Sequence, residues 1–344
     1  MDVRLWPWRP RPKPDELLSS WLARIARGNS GKLHTFCHAV WPGLQIWNRD
    51  IDAMAPADLL EGLVRHTGVD RLRAEQTTLR PLEGVLFEHL RVAGPTQWVR
   101  PLGIFHRTRL RGGQQWCPDC LAADEEPYYR RRWRLAIAST CPHHGAVLAD
   151  TCHDCGAPAV PHRGEDPLCH HCKADRRDHP RLLADSQALQ LEWRLSEMLC
   201  SDPDMHSELE ELHPLSYFGL IRQVMTVIGW GQRSQTLRNE IANAWGGDPE
   251  PPDARQLELT SALARHRISA LTARAMRGWP WLFVAHCADA GVWRSWAFAD
   301  RRYGRSPFAY ADVVVRHLSG PPWREAKSRG VNRRGSAAVG SNSV

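Results

Sequence analysis

The sequence lacks long apolar runs. No window offers about 18 uncharged apolar residues for a membrane span, and the Pro- and Arg-rich residues 1–18 lack the apolar stretch of a secretion signal. We therefore expect a cytoplasmic protein with no membrane partner. Thiols stay reduced in the cytoplasm, so paired cysteines there indicate metal binding rather than disulfides.

The motifs of common catalytic sites are also absent. There is no GxxxxGKS/T phosphate loop, no GxGxxG, no GxSxG and no HExxH. The carboxylates of a nuclease or polynucleotidyl-transfer site can lie far apart in a sequence and form no such motif. No residue stands out as catalytic, and we interpret the chain as a binding or adaptor protein rather than an enzyme.

Lysine is scarce, since 41 of the 45 basic residues are arginine. The formal net charge of +7 favours an anionic partner, most economically nucleic acid. This charge is unevenly placed. Nine arginines and four acidic residues lie from Arg91 to Arg134, whereas residues 202–212 are acidic. The basic residues therefore concentrate beside the cysteines described next.

Cysteine is scarce too, with ten in 344 residues, yet seven of them join one histidine in four pairs, each separated by two residues. A two-residue gap lets a tight turn direct both side chains to one ion, and zinc takes four N or S ligands in a tetrahedron. Eight ligands make two closed sites, which stabilise structure without an open position for water. The predicted ligands of two structural Zn²⁺ ions are Cys117, Cys120, Cys141, His144, Cys152, Cys155, Cys169 and Cys172.

The four pairs can be grouped in two ways. If the first pair shares an ion with the second and the third pair with the fourth, the result is two sequential ribbons or knuckles. If the first pair shares an ion with the third and the second pair with the fourth, the result is a cross-braced finger of the RING type. The seven residues between His144 and Cys152 are longer than RING-type fingers normally have there, so we expect sequential sites. Spacing favours His144 over His143, and the flanking cysteines, as softer ligands, are favoured over His170 and His171.

We expect a mainly α fold with small zinc-stabilised β modules. The predicted regions are an N-terminal helical region with a helix-turn-helix over 1–110, a double zinc-binding module over 111–180, a C-terminal helical domain over 181–320 and a disordered tail over 321–344.

In the N-terminal region, Asp15 is a good N-cap for the first helix, and further helices are predicted over 32–41 and 56–68. The next predicted helix, 70–80, is capped by Asp70. Two helices joined by a short Gly-containing turn match the helix-turn-helix outline, although an ordinary helical hairpin has the same pattern. The second helix would present side chains suited to DNA contacts, namely Arg71, Arg73, Gln76, Thr77 and Arg80.

Residues 128–137, inside the first zinc loop, alternate aromatic residues with arginines and then turn apolar. They are predicted as a zinc-ribbon strand, with Trp133 in the small core of the module. Its arginines would either be solvated or track a phosphate backbone. These candidate DNA contacts are Arg130, Arg131, Arg132 and Arg134.

Helical periodicity resumes after the cysteines over 184–200, 216–230 and 260–276, with a solvated loop over 246–254. Three cysteines stand alone and are expected as buried small hydrophobes: Cys37, Cys200 and Cys287.

Four segments together resemble the TniQ family of bacterial transposition proteins, which includes the TnsD target selectors: 15–31, 65–84, 116–135 and 141–156. The most specific part is the ordered series of CPxC, a YYR-to-Trp stretch, CPxH followed by Gly, and CxxCG. The resemblance covers roughly residues 10–180, and residues 185–320 contain no motif that we can match.

This resemblance implies a helix-turn-helix region, a central zinc-finger region with the two sites listed above, and a helical C-terminal region. It implies a non-catalytic adaptor that couples target DNA to an AAA+ ATPase regulator, which passes the site to a separate DDE transposase. In CRISPR-associated transposons such adaptors join an RNA-guided effector complex. The sequence leaves open whether targeting is direct or guided, and whether the chain forms a homodimer.

Two hypotheses from other classes remain. A zinc-stapled nuclease of the HNH type would require His143, His170 or His171 to be catalytic. A RING-like interaction module would have cross-braced pairing and no salt-dependent affinity for DNA.

Overall fold

The computed structural model describes residues 5–29, 31–91, 94–104, 112–163, 167–200, 213–298 and 306–320. This part of the chain contains eleven α-helices, several short 3₁₀ turns and one two-stranded antiparallel sheet, so the mainly α fold class is confirmed. None of the helices described is long and apolar enough to cross a membrane.

The N-terminal part consists of α1 (Leu18–Asn29), α2 (Leu33–Val40), α3 (Ala57–Thr67) and α4 (Arg71–Glu75). Apolar residues recur at helical spacing, and their faces meet in one core that fully buries Trp21 and Leu59. Gly68 ends α3 with a φ of 72°. The helices predicted over 32–41 and 56–68 are confirmed.

Helix α4 is shorter than predicted, because it ends at Glu75. Asp70 caps it as expected, accepting a hydrogen bond from the backbone N–H three residues later. Beyond the helix, the hydroxyls of Thr77 and Thr78 donate to carbonyls three residues before them. These bonds compete with helix propagation, and Pro81 cannot continue a helix. The second element of the expected helix-turn-helix is therefore a short helical segment.

Asp15 is not the N-cap of α1, so that prediction was wrong. The helix begins three residues later, and Asp15 has a φ of 55°. Its carboxylate instead accepts hydrogen bonds from Arg131 Nε at 3.0 Å and from the Arg132 backbone N at 3.2 Å. The start of α1 is capped by a distant residue, since Asp52 Oδ1 accepts from Ser19 N at 2.8 Å.

The central part contains α5 (Pro118–Ala123) and the strands β1 (Thr140–Cys141) and β2 (Ala146–Val147), which pair antiparallel. The strand predicted over 128–137 was wrong, because Arg131–Arg134 form a 3₁₀ helix. Residues 133–138 are all buried, so this segment lacks the in–out alternation of a strand with one solvated face.

The C-terminal part contains α6 (Ser186–Cys200), α7 (Pro214–Trp230), α8 (Ser234–Trp245), α9 (Ala262–Ala275), α10 (Trp281–Asp289) and α11 (Phe308–His317). Helix α9 packs against α6, α7 and α8, and α11 packs against α7. Three of these helices agree with the predicted segments, whereas α8, α10 and α11 were not predicted.

One cluster of buried apolar side chains runs from Leu17 to Leu318 and includes Trp116, Trp133 and Phe218. The cysteine-rich segment and the C-terminal helices therefore share a core, in which Trp133 lies as expected. The isolated Cys37 and Cys287 are buried. The side chain of Cys200 and the tail 321–344 lie outside the described residues.

Candidate metal centres and nucleic-acid interface

The first cluster brings together Cys117, Cys120, Cys141 and His144, whose ligand atoms lie within 4.8 Å of one another. His144 Nδ1 is 3.4–3.5 Å from each of the three sulfur atoms. The Sγ atoms of Cys120 and Cys141 are 3.5 Å apart. The three cysteines are buried and the histidine is half-buried.

The second cluster consists of Cys152, Cys155, Cys169 and Cys172, again with ligand atoms within 4.8 Å of one another. The Cys152 and Cys172 sulfurs are 3.6 Å apart, and the Cys155 and Cys169 sulfurs are 3.7 Å apart. Cys155 and Cys172 are exposed, so this cluster lies at the surface. The pairs are grouped sequentially, as their spacing predicted.

The donor sets fit tetrahedral metal ions. With Zn–S bonds of about 2.3 Å and Zn–N bonds of about 2.0–2.1 Å, tetrahedral geometry separates neighbouring sulfurs by about 3.8 Å and sulfur from nitrogen by about 3.6 Å. The separations here are 3.4–3.7 Å. Four donors complete each tetrahedron. The clusters are therefore compatible with two structural metal ions.

Local backbone turns place the ligands. In all four pairs, the residue after the second ligand donates its N–H to the carbonyl of the first ligand at 2.8–3.1 Å. In three pairs this residue is left-handed, namely Gly145, Gly156 and Lys173, with φ of 56°, 69° and 65°. Glycine suits this conformation, whereas Lys173 bears a steric cost. In the fourth pair the donor is Leu121, which lies within α5.

A buried carboxylate holds the segment that leads into the first cluster. Glu192 of α6 is 2% exposed and accepts hydrogen bonds from the backbone N–H groups of Ser139 and Thr140, both at 2.8 Å. It also accepts from the hydroxyl groups of both residues. Cys141 follows directly. Glu192 was not predicted from the sequence, where its signal is a carboxylate on the apolar face of α6, next to Leu191.

Arg134, a predicted DNA contact, is fully buried. Its Nη1 lies 2.8 Å from Asp52 Oδ2, and its Nη2 lies 2.5 Å from Asp50 Oδ2. Burial raises the pKa of Asp52 to about 6, although the Arg134 charge acts in the opposite direction. Since Asp52 also caps α1, this ion cluster joins the N-terminal helices to the cysteine-rich part. The geometry leaves Arg134 no access to a phosphate.

The three preceding arginines are half-buried. Arg130 makes a bidentate pair with Asp124, at 2.8 and 3.1 Å. Arg131 Nε lies 3.0 Å from Asp15 Oδ1. Two of the three charges are thus already balanced by carboxylates.

The predicted contacts on α4 and the following turn are mostly exposed. Arg71 Nε lies 2.6 Å from Glu75 Oε1, but the Arg71 side chain is still 45% exposed. Arg73, Gln76 and Arg80 are also exposed, whereas Thr77 is buried and donates its hydroxyl to a backbone carbonyl. The structure thus brings four of the five residues to the surface.

The N-terminal arm, residues 5–14, was not predicted from the sequence as part of the site. Trp6 N donates to the His66 carbonyl at 2.9 Å, and Arg73 Nη2 donates to the Pro12 carbonyl at 3.1 Å, so this arm lies along α3 and α4. Arg9 and Arg11 are exposed on it. The alternation of arginine and proline in 8-WRPRPK-13 was the available signal.

The histidines required by the nuclease hypothesis lie outside both clusters. His143 and His171 are exposed. The backbone N–H of His171 lies 3.5 Å from Cys169 Sγ, as in the outer shell of a thiolate site. In the described ranges, the two clusters are the only groups of three or more cysteine, histidine or acidic side chains placed to hold a metal ion.

The fold and these clusters define a mainly helical protein with two cysteine-rich clusters that could each hold a structural metal ion. Residues 7–148, about two fifths of the chain, match the model of the TniQ family. This part of the chain is thus similar to the TniQ family, in agreement with its motifs. The match includes the first cluster and ends before the second. No curated protein matches the chain.

Proposed function

We propose that this chain is a non-catalytic adaptor of DNA transposition, which binds target DNA and connects it to an AAA+ ATPase regulator and, through that ATPase, to a DDE transposase. Its TniQ domain indicates a role in transposition and supports DNA and other transposition proteins as partners. Two Zn²⁺ ions would fill the two clusters and stabilise the fold.

The observation that carries the DNA part of this proposal is a group of exposed arginines on the N-terminal arm, on α4 and on the turn that follows α4. We define this basic face as the N-terminal arm and α4 with the turn that follows it. Phosphates attract such side chains irrespective of sequence, and arginine binds them with two parallel hydrogen bonds. The exposed arginines of the basic face are Arg9, Arg11, Arg71, Arg73 and Arg80.

Burial and pairing distinguish the basic face from the other predicted DNA contacts, the arginines of residues 130–134. Arg134 is fully buried, and the pairing of Arg130 and Arg131 with carboxylates reduces their attraction for DNA. Exposed ion pairs contribute little and are readily exchanged, so the pair between Arg71 and Glu75 leaves Arg71 available to a phosphate. We therefore assign the DNA contacts to the basic face.

The test is fluorescence anisotropy of a labelled 30-base-pair duplex over a salt series. Each phosphate contact adds about 0.9 to the slope of log K against log salt. The variant Arg71→Gln/Arg73→Gln/Arg80→Gln should bind more weakly and lose up to about 3 from that slope. The matched control changes three exposed arginines elsewhere, Arg194→Gln/Arg255→Gln/Arg316→Gln, and should bind like the parent.

Equal affinity and slope for both triple variants would remove the basic face from the proposal. Supercoiled plasmid incubated with Mg²⁺ or Mn²⁺ provides a second readout. An adaptor leaves it intact. Metal-dependent nicking that His143→Ala abolishes would instead identify a nuclease.

A further inference from the structure

A cleft of about 470 Å³ lies where the three parts of the chain meet. Its walls come from Asp15 in the N-terminal part, from residues 130–138 in the central part and from Ser196 and Leu199 on α6. The volume is in the range of small-ligand sites, about 300–1,000 Å³, so the cleft can hold one or two side chains of a partner. The cleft is separate from both metal clusters, although exposed His143 lies on its rim.

The charges around this cleft leave one cation unbalanced. Asp124 neutralises Arg130, whose guanidinium also lies 4.2 Å from the centre of the Tyr128 ring. Asp15 neutralises Arg131. Arg132 has no carboxylate partner among the described residues; its Nη2 is 3.4 Å from Ser196 Oγ, and its enclosed Nε has no hydrogen-bond partner.

The rest of the lining is apolar. Leu82, Leu135, Ile137, Ala138 and Leu199 contribute to it, and Ile137 and Ala138 belong to the continuous core. An apolar surface beside one cation matches a ligand with an apolar group next to one negative charge. Burial of the apolar group would favour the complex through the hydrophobic effect.

We propose that this cleft binds a peptide segment of a partner protein, with an acidic residue adjacent to a bulky apolar residue. The carboxylate would pair with Arg132 and the apolar side chain would lie against Ile137 and Leu199. Arginine pairs well with carboxylates because its planar fork offers two parallel donors. The inference depends on the cleft alone and goes beyond the DNA contacts proposed above.

A nucleic-acid backbone is a poorer match. It brings a negative charge at every nucleotide, whereas Asp15 and Asp124 already balance two of the three arginines. The apolar lining would also remain uncovered by phosphates and sugars. A short acidic–apolar peptide satisfies both features at once.

The test uses a random heptapeptide phage library selected against the full chain with its metal ions bound. Three variants are selected in parallel. Arg132→Gln removes the unbalanced charge, and Ser196→Phe fills the cleft from α6. Arg194→Gln removes an exposed arginine of α6 that does not line the cleft. Thermal unfolding and zinc content confirm that each variant is folded.

We expect enriched peptides with an acidic residue beside a bulky apolar residue. Fluorescence polarisation of one enriched peptide should show at least tenfold weaker binding to Arg132→Gln and to Ser196→Phe, and unchanged binding to Arg194→Gln. Three results would overturn the proposal: no enriched consensus, a consensus without an acidic residue, or binding that Arg132→Gln leaves intact. A lower DNA salt slope for Arg132→Gln without peptide enrichment would assign the cleft to nucleic acid instead.

Discussion

Replacement of Glu192 tests how the C-terminal part supports the first cluster. Its carboxylate accepts two backbone and two hydroxyl hydrogen bonds from Ser139 and Thr140. In Glu192→Leu, the two hydroxyl groups can rotate to other acceptors, but the two backbone N–H groups remain buried without partners. Each such group costs about 1–3 kcal/mol, so we expect a loss of about 2–6 kcal/mol.

This loss can be measured as a change in Tm. An unfolding entropy of about 2.1 cal/mol/K per residue gives about 0.7 kcal/mol/K for 344 residues, so Tm should fall by about 3–8 °C. Glu192→Gln keeps one acceptor oxygen and should lose only about 1–3 kcal/mol. Gln190→Leu, at an exposed position of the same helix, serves as the control.

The first cluster should respond as well, because Thr140 directly precedes Cys141. A chromogenic chelator should remove one metal ion per chain from Glu192→Leu faster than from the parent, and the second ion at the parental rate. If Glu192→Leu unfolds within 1 °C of the parent and releases both ions at parental rates, Glu192 does not position this cluster.

Three further predictions concern metal content, pH and backbone strain. Cys120→Ser and Cys155→Ser should each lose one of two metal ions by mass spectrometry under native conditions, whereas loss of both ions from either would contradict independent clusters. Burial lowers the pKa of His162 to about 4, while an unfolded histidine titrates near 6.5, so acid favours the unfolded state. The stability that the neutral His162 contributes should be complete above about pH 7 and fall as the pH drops to about 4. The difference in Tm between about pH 7.5 and pH 5 should therefore be smaller for His162→Gln than for the parent. An equal difference in the two proteins would count against this assignment. Lys173→Gly should relieve the left-handed conformation and stabilise the second cluster by on the order of 0.5–1 kcal/mol, seen as slower metal loss to a chelator, whereas faster loss would refute the strain.

Sequence patterns sufficed to predict those features of the structure that depend on local interactions. A two-residue spacing brings two ligands together through one turn, and the gap between His144 and Cys152, longer than in RING-type fingers, favoured sequential grouping. Helices such as α3 and α7 were predictable because their apolar residues repeat at helical spacing over several turns. The same locality made the TniQ motifs recognisable without a structure.

Predictions failed where a distant residue supplies the partner. Asp15 is of a residue type that is favoured at N-caps, yet Asp52 caps α1 and Asp15 contacts Arg131. The arginines from 130 to 134 look alike in the sequence. The structure separates them, because Arg134 meets two carboxylates more than eighty positions away, whereas Arg132 meets none among the described residues.

By itself, the sequence determined the helical class, the four ligand pairs and the likeness to the TniQ family, because each depends on spacing along a short stretch of chain. Only the tertiary structure decided which charges are available to a partner. A carboxylate neutralises an arginine through a separation of a few ångströms in space, and no short-range pattern encodes that proximity. The exposed basic face, the buried Arg134 and the unbalanced Arg132 in its cleft are all consequences of that packing.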